Sequence, residues 1–363
     1  MKFSFQDKGP MLIGGGVALT LLLGGVFIWQ KQSYQPSESS SQTVAPVEAA
    51  VSEWPEGYEH RTTDGMPVLA KDQPTTWFAV MVENSAEAWP LTGIAEARLV
   101  IEAPVEGSIP RLSVYFDDTQ DVKKIGPVRS VRPYYLDWSS GQRAMLAHVG
   151  GSPEALALVQ SRQSITLNEF FWGRFFWRDL SRYAPHNVYT SVGLLKQGYD
   201  ARGYEAGEEP LPSFRYTLDS VTSATCNPQT SVTVHFSKQT KDYNAQWQYR
   251  PETNDYIRVQ GVSAESLDTD NDIIAKNIVV LHTDIDVIDA EGRRSVRTVG
   301  TGDVTLYRDG FAFEGTWEKS RFNQPLQLKT IDGAELALRP GTTWIEVSPL
   351  STSAQATSAQ DCE

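Results

Sequence analysis

Between Arg98 and Thr190 the sequence holds eleven Lys and Arg against nine Asp and Glu, although the 363-residue chain has a formal charge of −13. This locally basic stretch contains the residues best suited to chemistry. In EAPVEG (Glu102 to Gly107), Pro104 and Gly107 forbid a helix and leave two carboxylates, Glu102 and Glu106, on a strand-end loop of the kind that can hold a hard cation. In KKIGPVRSVRP, Arg129 and Arg132 stand three residues apart, and one helical turn over Ser130 to Pro133 would aim both guanidinium forks at a phosphate or carboxylate. HVGGSPEA reads as a strand ending at His148, a Gly150-Gly151-Ser152 turn and a helix start, an arrangement whose free N–H groups favour an anion. FWRDLSRYAPHN adds Arg178, Asp179, Arg182, His186 and Asn187. With Arg111 these groups form one expected ligand-binding set, with His148, His186 and Asp179 as the acid/base candidates. Each residue also has a bland reading: arginine pairs can be structural, glycine pairs serve turns, and a lone His is commonly a satisfied core residue.

The elements that must position these groups follow from local pattern. WFAVMVE, ARLVIEA, RLSVYF and AMLAHV are strand candidates, rich in β-branched and aromatic residues. PEALALVQ, with Ser152 as N-cap and Pro153 first in the helix, and SVGLLKQGY, starting after Thr190, read as helices. From Leu211 onward strands dominate: SVTVHF, AQWQYR, YIRVQ, NIVVLHTDIDVI, DVTLYRDGFAFEGTW with a hairpin at Asp309-Gly310, IDGAELAL and TTWIEV. The fold class predicted is α+β, with a mixed α/β domain over 54–205, a smaller and mostly antiparallel β-rich domain over 206–349, and a disordered tail over 350–363.

Ahead of these domains, residues 11–29 (MLIGGGVALTLLLGGVFIW) form an uncharged run close to the roughly 20 residues a membrane helix needs. Lys2 and Lys8 favour a cytoplasmic segment over 1–10, and residues 30–53 read as a disordered linker. A cleaved signal peptide is the competing reading of the apolar run. The expected location is therefore the cell membrane, single-pass, with the bulk of the chain extracytoplasmic.

Composition removes several classes. The acidic balance argues against nucleic acid as a partner. Two cysteines, Cys226 and Cys362, cannot build a disulfide framework, although one bridge between them stays open. Ser152 lacks the G-x-S-x-G spacing of a serine hydrolase, and neither a P-loop nor H-E-x-x-H is present. Asp268, Asp270 and Asp272 imitate the start of an EF-hand loop, but Ile273 and Val279 occupy the positions that need Gly and Glu, so the stretch reads as a solvated turn.

The segments FAVMVEN, EAPVEGSIPR, KKIGPVRSVRP, HVGGSPEAL, FWRD and APHNVYTS, followed by AQWQYR, AKNIVVL, TVGTGDVTLYRDG, EGTW and PGTTWIEV, resemble the YerB-like bacterial lipoproteins, which pair an N-terminal and a C-terminal domain of unknown function. The resemblance covers most of Val68 to Val347. It implies an exported, membrane-attached envelope protein and carries no reaction with it. No cysteine follows the apolar run, a departure from the lipoprotein pattern. Three function classes stay open at this point. The first is an envelope module binding an anionic lipid or glycan in a basic cleft, with no required cofactor. The second is a metal-assisted phosphotransferase or glycan-processing enzyme using a divalent cation, a site loosely similar to that of the LytR-CpsA-Psr phosphotransferases. The third is a protein–protein adaptor.

Overall fold

The computed structural model describes residues 54–205, 207, 211–219, 229–236, 243–259, 267–268, 271–352 and 354–358. The membrane-helix reading of 11–29, the linker and both cysteines lie outside these residues. Among the described residues no helix is long and apolar enough to cross a membrane.

In chain order the main strands are β1 (Trp77–Val82), β2 (Leu99–Pro104), β3 (Pro110–Asp117), β4 (Met145–His148), β5 (Thr166–Asn168), β6 (Gln229–Val234), β7 (Ala245–Arg250), β8 (Asp255–Val259), β9 (Ile274–Ala275), β10 (Asn277–Thr283), β11 (Gly300–Arg308), β12 (Phe311–Lys319), β13 (Gln327–Thr330), β14 (Thr343–Pro349) and β15 (Gln355–Ser358). Helices α1 (Pro133–Gly141), α2 (Pro153–Ser161), α3 (Glu169–Trp172) and α4 (Val192–Ala201) all precede β6. Ten strands form one sheet in the order β13-β12-β11-β10-β14-β2-β3-β1-β4-β5, and five form a second in the order β9-β8-β7-β6-β15.

The central strands are apolar on both sides because both faces of the large sheet are covered. In β1, Trp77, Ala79 and Met81 join one core with Tyr134, Tyr135 and Trp138 of α1, while Phe78, Val80 and Val82 join another with Trp247 and Tyr256 of the five-stranded sheet. Strand β14 lies parallel to β10 on one side and parallel to β2 on the other. A strand from the end of the chain thus unites strands of the first half with those of the second, and the β-rich half is less uniformly antiparallel than its pattern predicts.

Local expectations fare unevenly. Asp309 and Gly310, both with positive φ, make the expected tight turn between β11 and β12. Ser152 caps α2 by accepting from Ala155 N (3.3 Å), whereas α4 is capped by Ser191. Helix α1 is an addition to the sequence reading. Its Pro133 occupies the first turn, and Arg132 before it is extended (φ −123°), as the residue preceding a proline tends to be. The helical turn expected over Ser130 to Pro133 is therefore not formed. IDGAELAL is a turn following β13 and not a strand. Asp268 is buried, its carboxylate accepting from Ile94 N (2.6 Å) and Ala95 N (3.2 Å), so it ties a loop in place where a solvated turn is expected.

Candidate functional site

The site is built where β1 ends, where β2 turns into β3, and where the chain enters α1. Two tyrosine hydroxyls at the start of α1 fix that junction: Tyr134 donates to Pro104 O (3.0 Å), and Tyr135 to Ala103 O (2.9 Å) and Arg111 O (2.6 Å). A cavity of about 200 Å³ opens beside them, lined by Glu83, Ser85, Glu106, Arg111 and Arg129 among others.

Two of the three neighbouring guanidinium groups are matched. Arg132 forms a bidentate fork on Glu106, Nε to Oε1 and Nη2 to Oε2, both 2.7 Å. Burial works to raise the Glu106 carboxyl, but the Arg132 fork outweighs it and holds its pKa below the usual value. Arg129 Nε lies 3.1 Å from Glu83 Oε2 and Nη1 donates to Pro185 O (3.5 Å). Glu83 also accepts from Ser85 Oγ (3.0 Å) and meets His186 Nδ1 (2.8 Å).

Arg111 differs. It is buried, and among the described residues its guanidinium makes one hydrogen bond, Nη1 to Ser130 O (2.8 Å), with no ion-pair partner. Burial, and then the adjacent Arg132 charge, pull its pKa below the ordinary arginine value, yet a guanidinium stays charged at neutral pH. Three guanidinium groups thus stand against the two carboxylates of Glu83 and Glu106, and the unmatched one lines the cavity. An unpaired buried cation is costly, and an anion entering the cavity would compensate it.

The structure redistributes the other candidates. Glu102 is fully enclosed: Oε2 pairs with Arg258 Nη1 (2.7 Å) and accepts from Trp344 Nε1 (3.0 Å), and Oε1 accepts from Asn84 Nδ2 (3.0 Å). Glu102 and Glu106 therefore face different cations and share no site, a correction to the two-carboxylate metal reading. Among the described residues no cluster of three His, Cys, Asp or Glu is placed to hold a metal ion. The glycine turn is structural: Gly150 N donates to Asn168 Oδ1 (3.1 Å), Ser152 N to Val131 O (3.2 Å), and a Cβ on Gly151 would sit 2.8 Å from Val131 Cγ1. Arg178 pairs with Glu169 (3.1 Å) and Asn187 (3.2 Å), and Arg182 donates to the carbonyls of Ala88 (2.6 Å) and Pro90 (3.0 Å). Asn187 Nδ2 in turn donates to Arg182 O (3.3 Å). These three fasten a loop and do not line the cavity. Asp179 accepts from Lys124 Nζ (2.7 Å) and from Ser181, contacts that hold its pKa well below the carboxylate range and unsuit it for proton transfer at neutral pH. Of the acid/base candidates only His186 stands beside the site.

His148 is buried, with Nδ1 2.7 Å from Gly150 O and Nε2 without a partner among the described residues. Burial pushes its pKa down to about 4. An unfolded His titrates near 6.5, so the unfolded chain binds the proton first, and stability present above pH 6.5 is lost as pH falls toward 4. The advantage of the native chain over His148→Phe should shrink by about 3 kcal/mol between pH 7 and pH 4 in urea melts. A difference constant with pH would show that His148 titrates normally.

Sequence reasoning passed over Glu83 and Ser85, and over the second half of the Glu102 cluster. Arg258 of β8 also meets Glu346 Oε1 of β14 (3.1 Å), which accepts from Trp247 Nε1 (2.9 Å). The Arg258 guanidinium lies over the rings of Trp344 (4.8 Å) and Trp247 (5.3 Å). Glu102 and Glu346 are opposite one another in the β2–β14 register, so two carboxylates share one enclosed cation. Burial, and then the Glu102 charge, push the Glu346 carboxyl well above its ordinary pKa. Its Oε2 has no donor among the described residues, and once protonated it can donate to Glu102. A larger cavity of about 330 Å³, lined by Thr76, Arg162, Tyr199 and Phe322, lacks an unmatched buried charge of this kind: Arg162 is paired with Asp137 and stacked on Phe322.

These features define an α+β protein whose large sheet is assembled from both halves of the chain, with one buried cluster of charge holding the two sheets together and a second, cationic one open to a cavity. Residues 64–205 match the N-terminal domain, and residues 232–345 the C-terminal domain, of the protein of unknown function (DUF3048). The curated protein named "Putative lipoprotein YerB" from Bacillus subtilis (strain 168) is 30% identical over 293 residues, covering 80% of this chain and 83% of that protein. The crystal structure of YerB protein from Bacillus subtilis superposes with a TM-score of 0.70 at 26% identity, covering 81% of this chain and 98% of that one. The chain belongs to the YerB-like family with paired DUF3048 N- and C-terminal domains.

Proposed function

We propose that this is an extracytoplasmic, membrane-attached envelope protein that binds a small phosphate- or carboxylate-bearing group in the cavity between Arg111 and Arg129. The observation that carries the binding reading is Arg111, a buried guanidinium on the wall of a cavity with no ion-pair partner among the described residues. The location rests on the apolar run over 11–29 and on the lipoprotein name of the Bacillus subtilis relative. Because both cysteines lie far beyond that run, attachment through a helix suits this chain better than lipidation there. The enclosure of Glu102 favours binding over the metal-assisted transfer reading.

Equilibrium dialysis of the detergent-solubilised full chain against radiolabelled orthophosphate tests the binding. Saturable uptake at one site, displaced by pyrophosphate and not by a neutral sugar, is the expected outcome, and it should weaken as salt is raised. Uptake that never saturates would sink the reading.

A further inference from the structure

Four of the five most exposed large apolar side chains among the described residues fall within fourteen positions: Phe170 (66%), Phe171 (80%), Leu180 (93%) and Tyr183 (91%). The first two lie on α3, and the others on the loop of a two-stranded ribbon in which Trp177 pairs with Tyr189 and Arg178 with Val188. Arg178, reaching from the ribbon to Glu169 at the start of α3, ties the two segments together.

The loop is fastened from beneath. Arg182 clamps the carbonyls of residues 88–90, Asp179 accepts from Ser181 N, and Asn187 bonds Arg182 O and Arg178. Leu180 and Tyr183 are thus held outward by polar anchors that face inward, so inserting them elsewhere would cost little further ordering. Beside α3 the unpaired charge is cationic, while the exposed Glu87 lies next to the other side of the loop, its carbonyl accepting from Arg182. Glu169 and Asp179 are neutralised by Arg178 and Lys124, whereas Arg174 and Arg202 lie over the half-buried Trp172 (5.7 and 5.2 Å) and make no ion pair among the described residues. Aromatic rings, a projecting leucine and arginines at their margin match the chemistry of an anionic bilayer surface, where apolar tips enter the acyl boundary and guanidinium groups stay among headgroups.

We infer that Phe170, Phe171, Leu180 and Tyr183 form a membrane-contact surface that seats the folded body on an anionic leaflet. The inference rests on the membrane attachment proposed above. On the sequence reading of residues 30–53 as a tether, their root-mean-square span of about 25–30 Å keeps the body within reach of that leaflet. The same loop contributes Pro185 and His186 to the Arg129–Glu83 wall, so seating it would bring the cavity close to lipid headgroups.

The test uses the full chain with Cys226→Ser and Cys362→Ser, reconstituted in vesicles of equal parts phosphatidylcholine and phosphatidylglycerol. An environment-sensitive fluorophore is placed at Leu180→Cys, or at Ile331→Cys as an exposed apolar control (81%) outside the cluster. Flotation is scored first. Emission from position 180 should shift to the blue and be quenched by spin-labelled lipid, while position 331 stays water-like. If the chain floats but position 180 is water-like, the surface is refuted and attachment stands. A blue shift without lipid quenching would place another protein surface there and also overturn the inference. A chain that does not float removes the attachment reading as well.

Discussion

Replacing Arg258 with Met should lower the unfolding free energy by about 3–5 kcal/mol, the usual cost of leaving buried charge without its partner. Arg258, Glu102 and Glu346 have no side-chain exposure, and the two carboxylates are neighbours on parallel strands. Without the cation, both must be buried beside each other or take up protons. The loss should therefore come mainly from the stranded acids, with a smaller part from the guanidinium contact over the Trp247 and Trp344 rings. Adding Glu102→Gln and Glu346→Gln to Arg258→Met should restore much of the stability, whereas Glu346→Gln alone should cost less than Arg258→Met, because burial and the Glu102 charge already favour the neutral form of that carboxyl. Its raised pKa means that the stability linked to this proton is present at low pH and lost as pH rises through the raised value. Urea melts of the native chain and these three variants decide the matter: a triple variant no better than the single one would refute the electrostatic account.

Arg111→Met should act in the opposite sense on stability and more strongly on binding. It removes a buried cation whose only internal hydrogen bond among the described residues is to Ser130 O, and it relieves repulsion from Arg132. The variant should be at least as stable as the native chain, while orthophosphate affinity falls roughly 10- to 100-fold, the range expected for losing hydrogen bonds to a charged group. Arg178→Met, outside the cavity, should leave affinity unchanged. Stability given up to hold an unpaired charge is the mark of a binding residue, whereas a structural arginine would show the reverse.

Much of the large sheet is legible in the sequence. WFAVMV, RLSVYF and TTWIEV announce themselves by β-branched and aromatic density, and the Asp309-Gly310 hairpin by its turn residues. What local pattern cannot supply is the insertion of β14 between β10 and β2, because strand order is set by contacts between residues far apart in sequence. The same holds for the charged groups. Glu102 and Glu106 look like a pair along the chain, but a turn and a distant Arg258 separate them. The arginine-rich segment is read correctly as dense in polar groups, yet Arg178, Arg182 and Asn187 serve a loop whose anchors are largely carbonyls, which leave no trace in side-chain chemistry. Arg111 stands inside an ordinary strand, and only burial without an ion-pair partner among the described residues singles it out. Glu83 sits in FAVMVEN, where the end of an apolar strand in a charged residue was the signal available.

The most direct test of the anion site is the thermal unfolding of the full chain and of Arg111→Met, each with and without pyrophosphate. A pyrophosphate-dependent rise in Tm for the native chain, absent from a variant that is at least as stable on its own, is the predicted result. A native chain indifferent to pyrophosphate, together with a variant that melts at a clearly lower temperature, would contradict it and make Arg111 a structural residue.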